Sequence, residues 1–223
     1  GVKDGGFIAT EDHWLDGVEV KDANDHFVDL GKYISVMTAY PLISNPSDTT
    51  GLGYVASASA LYAGFVSSLP ANSAPTNKVM PGVRLAYRLS STKLDELSAK
   101  RYVTLAAKPK GNVVVDAPTA SRPDSDYNRL TTIRIVKATV DAIRAVSDPF
   151  IGEANTATRR AALQTAIERA LDKLQKAGYL QRYEIQVNAT VAQQITGDAT
   201  VEVKLIVAFE LRTLTLVISL AAL

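Results

Sequence analysis

The hydrophobic period of this chain changes across Gly178, and that change limits how the distal half can fold. Upstream, Ala162, Leu163, Ala166, Ile167, Ala170, Leu171, Leu174 and Ala177 recur at three- and four-residue intervals, which is the spacing of one face of a helix. Asn155 suits its N-cap, and Gly178 suits a left-handed C-cap beyond which Tyr179 and Leu180 fold back onto the last turn. Downstream the period falls to two: Tyr183, Ile185, Val187 and Ala189 alternate with Arg182, Glu184, Gln186 and Asn188. Gly197-Asp198 marks a turn, and Val201, Val203, Leu205, Val207 and Phe209, with Glu202 and Lys204 between them, predict a second strand. Leu214, Leu216, Ile218 and Leu220, interleaved with Thr213, Thr215, Val217 and Ser219, predict a third.

That last strand raises the functional question. From Thr213 onward it has no charge and no proline, the two devices that keep an exposed strand edge from pairing with other molecules. It either closes its own sheet or adds to the sheet of a neighbouring molecule. The polar side of the long helix is basic: Arg159, Arg160, Arg169, Lys173 and Lys176 stand against Glu168 and Asp172, in a chain whose net charge is only +1. A solvated surface is the plain explanation; a contact with an acidic partner is the functional one.

The upstream half reads as mixed structure. Val18 to Val20, His26 to Leu30 and Tyr33 to Tyr40 are extended by composition, with a turn at Asp22 to Asp25 and a stop at Pro41. Tyr54 to Leu69 is alanine-rich and predicts a tightly packed helix, and Ser91 to Lys100 a short one. Tyr102 to Ala107 and Asn112 to Asp116 flank Pro109-Lys110-Gly111 as a hairpin. Ala117 to Asp126 is rich in Pro, Ser and Asp and is the expected boundary between two units. A further helix begins near Asp126, with an apolar stripe of Leu130, Ile133, Val136, Ala138, Val140 and Ile143, and stops at Pro149. The fold class is therefore α+β, with mixed and antiparallel sheets packed against helices.

Little in the chain supports catalysis. The absence of cysteine excludes disulfides, thiolate nucleophiles and cysteine zinc sites. His13 and His26 are the only histidines, near Asp12, Asp16 and Asp25, and a surface position explains them better than a metal site. The carboxylates Asp22, Asp25 and Asp29 lack the glycine and terminal glutamate of a calcium loop. Gly51-Leu-Gly53 lacks the rest of either nucleotide-binding fingerprint and reads as a helix entry. Asn188-Ala-Thr190 is a formal glycosylation sequon inside a predicted strand. Basic and acidic residues number 24 and 23, so no nucleic-acid partner is expected. No run of about eighteen apolar residues predicts a membrane span. The expectation is a protein without enzymatic activity and without cofactor or metal.

The serial order of elements resembles that of contractile tail sheath proteins, found in contractile-tailed phages and related injection systems. The resemblance is carried by Tyr127 to Arg134, Asp148 to Ile151, Asn155 to Arg160, Lys173 to Leu180, Tyr183 to Val187 and the closing apolar strands. Upstream, Ala56 to Gly64, Met80 to Val83, Leu89 to Leu97 and Gly111 to Val115 are similar to segments of the preceding sheath domain. It implies a partial middle domain over 1–117 and a C-terminal domain over 118–223, with a terminal strand arm at 213–223. The opening Gly-Val-Lys-Asp without Met, and the lack of a long upstream region, imply a truncated or partial subunit.

What the resemblance implies for function is mechanical. Subunits would form six-membered rings stacked around an inner tube and contract to drive that tube through a target envelope. Leu214, Leu216, Ile218 and Leu220 would be the exchanged arm, and Arg159, Arg160, Arg169, Lys173 and Lys176 the face toward the tube. The implied partners are other copies of the chain, the inner tube protein, and baseplate and terminator proteins. The implied location is a virion tail or injection particle assembled in the host or producer cytoplasm. The alternative is another self-assembling tail or capsid accessory protein of α+β fold.

Overall fold

The computed structural model describes residues 30–43, 53–121 and 125–210, and ahead of them the backbone of four short strands. The predicted arm at 213–223, both histidines, and Asp12, Asp16, Asp22 and Asp25 lie outside the described residues. The architecture is α+β.

The first half opens with two antiparallel hairpins, β1 (Val2–Lys3) with β2 (Gly6–Phe7) and β3 (Glu19–Lys21) with β4 (Phe27–Asp29). After a 3-10 turn at Leu30–Tyr33, β5 (Val36–Met37) runs parallel to β9 (Tyr102–Val103). β6 (Pro41–Ile43) is the middle strand between β7 (Tyr54–Val55) and β8 (Arg84–Leu85), both antiparallel to it. Pro41 thus opens a strand instead of ending one, at the first position where a missing N–H is tolerated. Helix α1 covers Ser59–Ser67 and α2 covers Ser91–Ala99, the latter capped by the Ser90 hydroxyl. β10 (Leu105–Lys108) and β11 (Gly111–Val114) form the expected hairpin. Gly111 sits at φ +125°, and a Cβ there would lie 2.9 Å from a Val79 methyl, so the turn requires glycine.

Two further expectations for this half are corrected. Tyr54 and Val55 are a strand, and Gly53 leads into that strand instead of a helix. α1 is also not tightly packed. Tyr62 is its only buried member and Gly64 faces open space, because alanine-rich composition raises helix propensity without supplying a wide apolar face. The core of this half is Met37, Ala58, Tyr62, Met80, Val103, Leu105 and Val114.

The second half contains α3 (Leu130–Ser147), a 3-10 turn at Asp148–Phe150, α4 (Ala157–Lys176), β12 (Leu180–Asn188), α5 (Val191–Thr196) and β13 (Thr200–Val207). α4 is capped by Thr156, whose hydroxyl accepts from the Arg159 amide at 3.2 Å. Asn155 instead donates to the Asp198 carbonyl at 2.7 Å. Ile167 and Leu171 are buried, while Ala162 and Ala177 of the expected apolar face are exposed. α3 begins four residues later than expected, and its buried positions are Thr131, Thr132, Ile135 and Thr139; Val140 is exposed. A threonine can replace an aliphatic side chain here because its hydroxyl bonds back into the helix, as Thr139 does to the Ile135 carbonyl at 2.9 Å.

β12 and β13 form a two-stranded antiparallel sheet in which Tyr183, Ile185 and Val187 pair with Leu205, Val203 and Val201 on the inner face. A bulge between Leu180 and Arg182 brings Leu180 to the same face as Tyr183. The connection is helical: α5 has a capping box between Thr190 and Gln193 and ends at Gly197 in the left-handed region. Ile135, Ile167, Leu171, Leu180, Val187 and Val207 form this half's core, with α4 against the sheet and α3 against α4.

Residues 117–121 of the expected boundary are packed against both halves. Ala117, Thr119, Ala120 and Ser121 are buried, and the Leu130 amide donates to the Ala117 carbonyl at 3.1 Å. Arg134 donates to the carbonyls of Leu69 and Pro70 beyond α1, at 2.6 and 3.2 Å. Burial holds its guanidinium below the usual arginine range.

Candidate assembly interface

Three features of the second half bear on assembly. The first is the outer edge of β13. β12 and β13 make a sheet of two strands only, so among the described residues nothing pairs with that edge. Beside it runs a groove of about 770 Å³ between α3 and β13, floored by Val136, Val140 and Ile143 and walled by Val203, Leu205 and Phe209. An unpaired row of backbone N–H and C=O groups next to an apolar floor is the geometry into which one more strand fits. Phe209 is 68% exposed at the end of this groove.

The second feature is the basic side of α4. Arg159 is exposed and pairs with Glu153 at 3.0 Å. Arg160 is set apart from the others: it shares a face with Ile167, Leu171 and Leu174, and its guanidinium donates to the side chain and backbone of Asn155 at 2.8 and 3.1 Å. Arg169, Lys173 and Lys176 are exposed. The two acids of the helix are engaged elsewhere. Asp172 accepts from the Tyr183 hydroxyl at 2.5 Å, and Glu168 from the Gln164 amide at 2.9 Å. The Asp172 bond, with a smaller effect of burial, pushes the Tyr183 phenol up to about 12. No carboxylate among the described residues pairs with Arg169, Lys173 or Lys176, so their charge is open to a partner.

The third feature carries no sequence signature. Arg129, the N-cap residue of α3, is almost fully buried and holds two carboxylates from distant parts of the chain. Its Nη1 donates to Asp116 Oδ2 at 2.9 Å and its Nη2 to Asp116 Oδ1, a two-pronged pair at the end of the first half. Its Nε donates to Glu210 Oε1 at 2.7 Å, and Thr131 Oγ1 donates to Glu210 Oε2 at 3.0 Å. Burial opposes the guanidinium's charge, but the bonds to Asp116 and then Glu210 outweigh it, and the group titrates above the ordinary arginine value. Tyr62 lies close by. Burial, reinforced by the charge of Asp116, raises its phenol, whose oxygen has no hydrogen-bond partner.

Among the described residues no group of His, Cys, Asp or Glu could hold a metal, and no helix is long and apolar enough to cross a membrane.

No protein-family model matches the sequence, and no curated protein matches it by sequence. Solved structures do match by shape. The helical sheath of the anti-feeding prophage in its contracted state superposes with a TM-score of 0.71 at 20% identity, over 83% of this chain and 55% of that one. The sheath of the extracellular contractile injection system PVC, also contracted, gives 0.72 at 17% identity, over 84% and 56%. A sheath tail protein from Desulfitobacterium hafniense gives 0.55 at 15% identity, over 69% and 38%. The chain spans about half the length of the injection-system sheath proteins it resembles. It has the α+β fold of contractile sheath proteins.

Proposed function

We propose that this chain is the structural subunit of a contractile sheath. Copies are joined by strand exchange: residues 213–223 of one copy lie along the outer edge of β13 in the next, with Leu214, Leu216, Ile218 and Leu220 supplying the apolar side chains. Such copies stack as hexameric rings around an inner tube, and a change in ring packing drives the tube through a target envelope. The arm keeps neighbours connected while the packing changes. It acts mechanically and needs no cofactor.

The observation that carries this reading is the free edge of β13 beside an apolar groove, in a chain whose final segment is uncharged and alternating. Backbone bonds hold such a strand and the groove selects its side chains. The exposed side of α4 bearing Arg159, Arg169, Lys173 and Lys176 is the face toward the tube, with Arg160 supporting that end of the helix from within. Exposed ion pairs contribute only about 0–1 kcal/mol each, so a contact made of them can be released as the sheath contracts.

The test is particle morphology and mass, by electron microscopy and light scattering, with and without residues 213–223. Rings or tubes from the intact protein and folded monomers from the deletion support the reading. Assembly that survives the deletion contradicts it.

A further inference from the structure

Glu210 ends the described part of the chain in an arrangement that its own sheet does not require. Past Val207 the backbone makes one more sheet bond, from the Ala208 amide to the Tyr179 carbonyl at 3.0 Å, and Phe209 turns outward. The Glu210 carboxylate then crosses to the start of α3, where Arg129 and Thr131 receive it. It is largely buried, its side chain only 12% exposed.

Glu210 shares the Arg129 guanidinium with Asp116, which meets it with two parallel bonds. What favours it there is the positive end of α3, whose first turn has no acidic residue of its own and whose N-cap Arg129 cannot cap through its side chain. The consequence is positional: the end of the described chain is tied to α3 as well as to β13.

That position matters under load. β13 is antiparallel to β12 and their paired register ends at Val207 opposite Leu180. A pull on the chain beyond residue 210 would therefore open the hairpin from that end, one pair at a time. A bond at Glu210 intercepts the pull before it reaches Val207, passing it to α3 through Arg129 and Thr131 and to the end of β11 through Asp116. Bonds between charged partners are roughly twice as strong as neutral ones.

We propose that Glu210 is the anchor of the C-terminal arm, held by Arg129 and Thr131 so that tension on residues 211–223 does not unzip the β12–β13 hairpin. The purpose of such an anchor rests on the strand-exchange reading above; its measurement does not.

The test is the lifetime of the folded hairpin under constant force on the full chain. The protein has no cysteine of its own, so one handle can be placed by Lys137→Cys on the exposed side of α3 and the other on a cysteine added after Leu223. Glu210→Gln keeps the shape and removes the charge, and shortens the lifetime about tenfold. Moving the second handle to Glu202→Cys, on β13 itself, lets the load enter upstream of the anchor, and Glu210→Gln then has no effect. Thr131→Val removes one bond without touching charge and shows the same handle dependence with a smaller change. This variant keeps the test decisive if Glu210→Gln does not fold. Equal effects from both handle positions, or none from either, overturn the proposal. If strand exchange itself is wrong, the deletion of residues 213–223 leaves assembly intact while the force measurement still stands.

Discussion

Arg129 concentrates the consequences that a single side chain can have in this protein. Replacing it by methionine would leave the buried Glu210 carboxylate without its guanidinium and take from Asp116 its two-pronged partner, and removing one partner of such a pair costs about 3–5 kcal/mol. Urea denaturation of Arg129→Met against the parent should show a loss of that size. Tyr62 makes the opposite case. Its hydroxyl is buried without a partner, so Tyr62→Phe should leave stability unchanged or raise it by about 1 kcal/mol. The tyrosines also set an alkaline limit. Tyr62 and Tyr183 keep their protons above the ordinary phenol value of about 10, so at high pH the unfolded chain binds fewer protons than the folded one. Their contribution is fully present below pH 10 and falls as pH rises beyond it. A melting series from pH 8 to 11.5 should show this fall, shallower in Tyr62→Phe. None of these roles was legible in the sequence. Arginine is a poor N-cap by propensity, and Asp116 and Glu210 come to it from 13 and 81 residues away.

At the scale of elements, the change of period at Gly178 was legible because one glycine separates two regular patterns, and α4, β12 and β13 follow it closely. Where the patterns are imperfect the reading failed for identifiable reasons. The bulge near Arg182 hides the start of β12 by breaking the alternation. Thr139 takes an inner position that hydrophobicity alone assigns to Val140. α5 spans only Val191–Thr196, too short for helical periodicity to register, and its capping box is the one local sign of it. The free edge of β13 gives the prediction at this scale. Val140 lines the groove yet is 38% exposed in the unassembled chain, so Val140→Glu should change the melting temperature little while preventing rings or tubes from forming. Circular dichroism and electron microscopy of the same sample separate the two effects.

For the molecule as a whole, the two halves have separate cores but share a seam built by Arg129, Arg134, Leu130 and residues 117–121. Residues 117–121 of the expected boundary are part of that seam, because Thr119 and Ser121 meet their hydrogen-bond needs locally, as in the Thr119 hydroxyl to Tyr127 carbonyl bond at 2.6 Å. Pro, Ser and Asp content marks a loop but not its burial. The unpaired charges of α4 yield a further prediction. Changing Arg169, Lys173 and Lys176 together to glutamine should cost no more than about 0.5 kcal/mol per site, as surface substitutions do, and should sharply reduce co-sedimentation with an acidic tube. Strand exchange requires residues 213–223 to pair with β13 of another copy. Disulfide trapping between two singly substituted chains tests it most directly: Lys204→Cys in one, and Thr215→Cys, Val217→Cys or Ser219→Cys in turn in the other, mixed before assembly. The prediction is an oxidised heterodimer formed by at least one of these pairs, and a ladder of higher species when both cysteines are on one chain. Only internal bridges in the doubly substituted chain, with no heterodimer from any mixture, would show that the strand closes its own sheet.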